Sequence, residues 1–122
     1  MMALRAPQGV AVSPEGNVVW RFGPKGLIEK STDAGKTWNR QKSPVTVDLV
    51  TGSPPSEKVC WAVGASGTVL RTTDGERWEE LASPTTDNLR SIKARDSLHA
   101  TVTTTDGQTF VTADGGQTWR EK

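Results

Sequence analysis

Several things are scarce in these 122 residues. There is one cysteine, Cys60, so no disulfide can form within the chain and the fold must rest on packing. There is one histidine, His99, which excludes a multi-histidine metal site within a single chain. No charge of one sign dominates: 15 Lys and Arg against 14 Asp and Glu leave a net +1. Affinity for nucleic acid or a membrane surface, which rests on neutralising phosphates, is not expected from such a balance. The opening "MMALRAPQGV" lacks an apolar run of signal-peptide or membrane-spanning length, and residues 1–8 are read as an N-terminal tail. Helical periodicity is missing too, and apolar residues reach only 34%.

What is present is glycine (12), proline (7) and abundant serine and threonine, the composition of many short strands joined by tight turns. One phrase is said three times: "STDAGKTW" at 31–38, "TTDGERW" at 72–78 and "TADGGQTW" at 112–119. The tryptophans that end it, Trp38, Trp78 and Trp119, lie 40 and then 41 residues apart. Trp20 and Trp61 each precede their phrase by 11 residues, and Thr101 holds that place in the third copy. "GPKG" at 23–26, "GASG" at 64–67 and "TTDG" at 104–107 mark a tight turn between these anchors, and Ser43–Pro44 is echoed by Ser83–Pro84.

Each unit divides into four runs rich in Val, Thr, Trp and Leu and bounded by Gly, Pro, Asp and Ser. They fall at 9–13, 17–22, 27–32 and 37–41, then 48–53, 58–64, 67–73 and 77–82, then 89–94, 98–104, 108–113 and 118–122. Four antiparallel strands in about 41 residues make one β-propeller blade. The predicted fold is all-β, with one propeller domain over 9–122 divided into blades at 9–42, 43–82 and 83–122.

The repeated phrase has a physical task at the turn between third and fourth strands. The carboxylates of Asp33, Asp74 and Asp114 can accept backbone N–H groups just ahead and fix the turn. Gly35, Gly75 and Gly116 supply positive φ, and the tryptophan can bury its face against a neighbouring blade. The second copy is one residue shorter between Asp and Trp, so its turn is expected to differ.

The pattern S/T-x-D-x-G-x-T-W, met in full from Ser31 to Trp38 and from Thr112 to Trp119, resembles the Asp-box, or BNR repeat. The stretch "VCWAVGASGTVLRTTDGERWEEL" resembles the repeat of propellers related to the photosystem II stability and assembly factor. The resemblance implies a propeller and, by analogy with assembly factors, a bacterial binding scaffold with a protein partner. Asp-boxes also mark sialidases, but that chemistry implies a tyrosine nucleophile with Glu and an Arg triad, and tyrosine is absent here. The resemblance therefore implies a non-catalytic protein whose Asp-box aspartates form turns.

Known propellers have about four to eight blades. Three blades leave two open sheet faces, each expected to be built for burial against a neighbour. Two copies joined head to tail give six blades and cover both, so a C2 homodimer closing as one six-bladed ring is predicted. More blades in a longer protein are the alternative. Location follows the same fork: periplasmic or otherwise extracytoplasmic for a segment of a membrane-anchored protein, cytoplasmic otherwise.

Propellers bind ligands at the channel mouth, on second-to-third strand turns and blade-to-blade connections. The candidates there are Lys25, Ser66 and Asp106 on turns, and Lys42, Thr46, Thr85, Asp87 and Asn88 on connections. They form a hydrogen-bonding surface of both charge signs, suited to a peptide, a protein loop or a sugar. A glycan-binding module using Trp20 and Trp61 is a second reading, and a weak hydrolase holding Ca²⁺ with carboxylates such as Asp106 is a third. No cofactor or catalytic set is expected. "GASG" and "GPKG" do not lead into helices, Cys60 has no base beside it, and His99 is read as a partly exposed strand residue.

Overall fold

A computed structural model of the chain describes residues 9–122. The proposed tail, 1–8, lies outside these. The described chain forms three four-stranded antiparallel sheets, each a meander in sequence order. Blade 1 contains β1 (Gly9–Val12), β2 (Val19–Phe22), β3 (Ile28–Ser31) and β4 (Asn39–Arg40). Blade 2 contains β5 (Leu49–Ser53), β6 (Cys60–Gly64), β7 (Val69–Thr72) and β8 (Glu79–Glu80). Blade 3 contains β9 (Leu89–Ala94), β10 (Ala100–Thr104), β11 (Thr109–Thr112) and β12 (Arg120–Glu121). Among the described residues the only helical pieces are single 3-10 turns at Pro24–Gly26 and Ala65–Gly67.

The fourth strands are two residues long, shorter than the expected 37–41, 77–82 and 118–122. The turn before each of them commits backbone N–H groups to an aspartate, so ladder pairing starts only after the tryptophan. Third strands likewise begin late in blades 1 and 2, because the 3-10 turn extends to Gly26 and Gly67.

The apolar core lies between sheets rather than within one. The joint of blades 1 and 2 buries Trp20, Phe22, Ile28, Leu49, Ala62, Leu70 and Trp78. The joint of blades 2 and 3 buries Trp61, Val63, Val69, Leu89, Ile92 and Val102, with Phe110 and Trp119 against them. The tryptophans that end the second and third copies of the phrase reach the preceding blade. Trp78 meets Trp20 and Phe22 edge-on, with centroids 6.5 and 5.9 Å away, and donates to Gln41 Oε1 at 2.7 Å. Trp119 meets Trp61 edge-on at 6.4 Å and donates to the Ala82 carbonyl at 2.8 Å. Cations complete both joints. Lys30 Nζ donates to the Gly75 carbonyl at 2.9 Å, and Arg71 Nη1 reaches the Ser97 and Gly115 carbonyls at 2.8 and 3.1 Å.

Strand register shows which residues share a face, since cross-strand partners point the same way. The rows Ala11–Trp20–Lys30 and Ser53–Trp61–Arg71 face the next blade. On blade 3 the corresponding row, Lys93–Thr101–Val111–Arg120, meets no further blade among the described residues. On blade 1 the opposite face carries Val10–Arg21–Glu29–Arg40, where blade 3 carries Ile92–Val102–Phe110–Glu121. Arg21 is paired with Glu29 at 2.7 Å and lies 4.0 Å over the Trp38 ring. The two open faces thus differ from the inner ones that they were expected to copy: a threonine takes the tryptophan position, and an ion pair replaces two apolar residues.

Candidate binding face at the channel mouth

The second-to-third strand turns of blades 1 and 2 are near copies. Lys25 and Ser66 occupy their tips with φ of 59° each, in the left-handed region that non-glycine residues seldom adopt. The residue that follows is glycine for a steric reason. Gly26 and Gly67 have φ of +78° and +75°, and a Cβ on either would overlap the carbonyl of Val45 or Thr85 in the blade connection crossing above. That connection is shaped by the repeated serine: Ser43 Oγ donates to the Val45 carbonyl at 3.0 Å, and Ser83 Oγ to that of Thr85 at 2.6 Å.

The next blade then clamps each tip. Lys25 N–H donates to Asp48 Oδ1 at 3.0 Å, and Ser66 N–H to Asn88 Oδ1 at 2.9 Å. Backbone adds Leu49 N–H to the Gly23 carbonyl across the joint, and within blade 2 Ala65 N–H holds the Asp48 carbonyl. The mouth is therefore a fixed rim that strained tips and inter-blade hydrogen bonds hold in place, with Lys25, Ser66, Asp87 and Asn88 exposed along it. Sequence reading missed Asp48, which it placed at a strand start. The signal was its 40-residue offset from Asn88. Asn88 itself was read as a ligand group, yet its carbonyl oxygen is occupied by the Ser66 tip, leaving its amide to face outward.

Two candidates behave differently. Asp106 lies on a third turn of another kind, closed by Gly107 N–H to the Thr104 carbonyl and Gln108 N–H to Thr104 Oγ1, with no connection crossing it. Lys42 lies away from the rim, in a lateral groove of about 320 Å³ with Ser43, Pro44, Glu76, Arg77 and Trp78. Thr46 is exposed and Thr85 half-buried on their connections.

The three aspartate turns between third and fourth strands occupy the opposite end of the blades. Asp33 Oδ1 accepts Lys36 and Thr37 N–H at 3.0 and 2.8 Å, and Asp114 Oδ1 accepts Thr118 N–H at 3.0 Å. In the shorter second copy Asp74 accepts Glu76 and Arg77 N–H instead. Gly35, Gly75 and Gly116 all have positive φ. Hydrogen bonds from Thr37, and after it Ser31, hold the Asp33 carboxyl far below the usual range. Those from Thr118 lower Asp114 to about 2, and the backbone of Arg77 and Glu76 lowers Asp74 to about 2. A folded-state value below the unfolded one means stability that is complete above about pH 4 and is lost as pH falls toward 2. Thermal unfolding between pH 7 and 2 should show this loss, and the triple variant D33N/D74N/D114N should show a flatter profile. An unchanged slope in that variant would place the acid sensitivity elsewhere.

The remaining chemistry-bearing residues are structural in their contacts. Trp20 and Trp61 are fully buried, so neither presents a ring to a sugar in solution. Cys60 is buried, and burial pushes its thiol pKa well up, away from a nucleophilic thiolate. His99 is half-exposed and precedes β10; its Nδ1 lies 2.8 Å from Asp96 Oδ1, which also accepts the Leu98 and His99 N–H groups, and the His99 ring first, then these N–H groups, lower the Asp96 carboxyl to about 2. Among the described residues no three His, Cys, Asp or Glu side chains gather as a cation site, and no helix is long and apolar enough to cross a membrane.

Solved structures with this arrangement are β-propellers. A structure titled "YCF48 bound to D1 peptide" superposes with a TM-score of 0.78 at 23% identity, covering 94% of this chain and 40% of its own. YCF48 from Cyanidioschyzon merolae gives 0.80 at 24% identity, covering 97% and 38%. A GH74 enzyme from Niastella koreensis gives 0.73 at 17% identity, covering 99% and 18%. The chain thus spans about two fifths of the length of the YCF48 structures that it matches. No family model matches the sequence, and no curated protein does. At these identities the likeness shows the fold: three consecutive blades of a β-propeller.

Proposed function

We propose that this chain is a non-catalytic binding and assembly scaffold whose mouth face engages an extended peptide or protein loop. The observation that carries this reading is that a structural neighbour superposing over 94% of the chain is a peptide-bound propeller. The mouth has the matching character: a rigid rim with exposed Lys25, Ser66, Asp87, Asn88 and Asp106, donors and acceptors that suit backbone amides and mixed-charge side chains. A peptide display library selected on the chain should yield binders whose amide chemical-shift perturbations map to residues 25, 66, 87–88 and 106. The triple variant K25A/S66A/D106A should weaken those binders by at least about tenfold. Shifts confined to the Asp-box end, or unchanged affinity, would overturn this reading.

A second reading concerns assembly: two copies close head to tail into six blades. It is favoured by Val10 and Val12, 61% and 51% exposed on the open face of blade 1 where blade 3 packs Ile92 and Ala94 against its neighbour. A single dimeric mass by light scattering supports it.

A further inference from the structure

We propose that Trp38 and the Arg21–Glu29 pair of one copy seat in the cleft on the open face of blade 3 of a second copy. This inference rests on the head-to-tail reading and specifies its joint. The cleft, about 840 Å³, lies along Thr101 and Val111 and is rimmed by Lys93, Arg95 and Arg120. Both surfaces depart from the inner joints, and the departures are complementary.

At the inner joints the bulk is on the trailing face, as Trp20 with Lys30 and Trp61 with Arg71. The leading face opposite is small or aliphatic at its second strand: Ala62 in one case, Val102 in the other. At the open ends the sizes are exchanged. Thr101 and Val111 replace the indole and the cation on the trailing face, and Arg21 with Glu29 replaces the apolar pair, Ala62–Leu70 or Val102–Phe110, on the leading face. A volume removed on one surface and added on its counterpart keeps a joint filled.

Polarity follows the same exchange. Arg21 Nε occupies Glu29 Oε1 at 2.7 Å, and Glu29 Oε2 accepts no hydrogen bond among the described residues. The facing surface carries cations, Lys93 beside Thr101 and Arg120 beside Val111. The Arg21–Glu29 pair is itself neutral, so it enters a cleft lined by Lys93, Arg95, Arg120 and Asp114, cationic on balance, without adding repulsion. Arg40 and Arg120 sit on the outermost strands, exposed to solvent that screens them. Val10 and Val12 take the positions of Ile92 and Ala94, and Trp38 takes that of Trp119. A closed ring would then place Lys25, Ser66 and Asp106 of both copies around one mouth.

The test is the mass of the intact chain across a dilution series, by sedimentation equilibrium. Wild type is expected to dimerise. Thr101→Trp restores the inner-joint residue and closes the cleft, while Trp38→Ala removes the occupant. Either should raise the dimer dissociation constant by on the order of 100-fold, because each acts at both joints of the ring. Circular dichroism checks that each variant remains folded. Mixing the two variants should recover a heterodimer, since one of its two joints is then wild type. A wild-type chain monomeric at every concentration overturns the closure itself. A wild-type dimer that both substitutions leave unchanged overturns this joint while the closure stands.

Discussion

Trp61→Ala is expected to lower the stability of the chain by roughly 3–5 kcal/mol. Trp61 is fully buried at the joint of blades 2 and 3, edge-on to Trp119 and beneath Arg71, whose guanidinium lies 5.6 Å from its ring. Its Nε1 also donates to the Asp96 carbonyl at 3.0 Å, tying the turn of the next blade to this one. Alanine leaves a cavity in the apolar cluster between the two sheets, and it orphans an acceptor at the same place. Domains of this size hold about 5–15 kcal/mol in total, so the variant should lie close to its unfolding threshold. Trp38→Ala is the control. Trp38 ends a fully matching copy of the repeated phrase, yet it is half-buried and lies under Arg21 of its own blade. Its removal should cost about 1 kcal/mol or less in dilute solution. Urea unfolding followed by circular dichroism compares the two. Equal losses would mean that the tryptophan stabilises its own turn rather than the joint.

That contrast also shows what the sequence could disclose. Repeat spacing located three four-stranded units and the aspartate turn in each, because register is set by short-range chemistry: an aspartate two to four residues from the N–H groups it accepts, and a glycine where φ is positive. The tryptophans were legible as joint-formers for the same reason. What the spacing could not disclose is which face a residue shares with which neighbour three strands away. Thr101 was legible as the counterpart of Trp20 and Trp61, but Arg21 read as an ordinary member of its strand, and only the pairing Thr101↔Lys93 and Arg21↔Glu29 shows that both lie on open faces. The mouth was legible in part. Lys25 and Ser66 were found from their turns, whereas the clamp by Asp48 and Asn88 spans a blade boundary and needs the three-dimensional crossing. Lys42 was misplaced by the assumption that every connection residue reaches the rim; this one runs along the flank, beside Trp78.

Gly67→Ala tests whether that rim is as rigid as its contacts imply. Gly67 has φ of +75°, so alanine there carries left-handed strain of about 1–2 kcal/mol. The added methyl would also overlap the Thr85 carbonyl and crowd Ser83 Oγ, both in the connection to blade 3. Displacing a packed connection costs a further 1–3 kcal/mol or so, for an expected total of roughly 2–5 kcal/mol. Gly107→Ala separates the two effects. Its φ of +93° is equally left-handed, but nothing lies within 4 Å of the added carbon, and no connection crosses that turn. Its loss should therefore stay near the strain alone, about 1–2 kcal/mol. The function should follow the same division. The moved connection carries Thr85 and leads to Asp87 and Asn88, so Gly67→Ala should weaken mouth-selected peptides even where the chain remains folded, with the Ser66 and Asn88 amides the first to shift. Gly107→Ala should leave the Ser66 and Asn88 amides in place. If both variants lose the same stability and the same affinity, the crossing connections do not set the rim, and the strained tips at Lys25 and Ser66 alone shape the binding face.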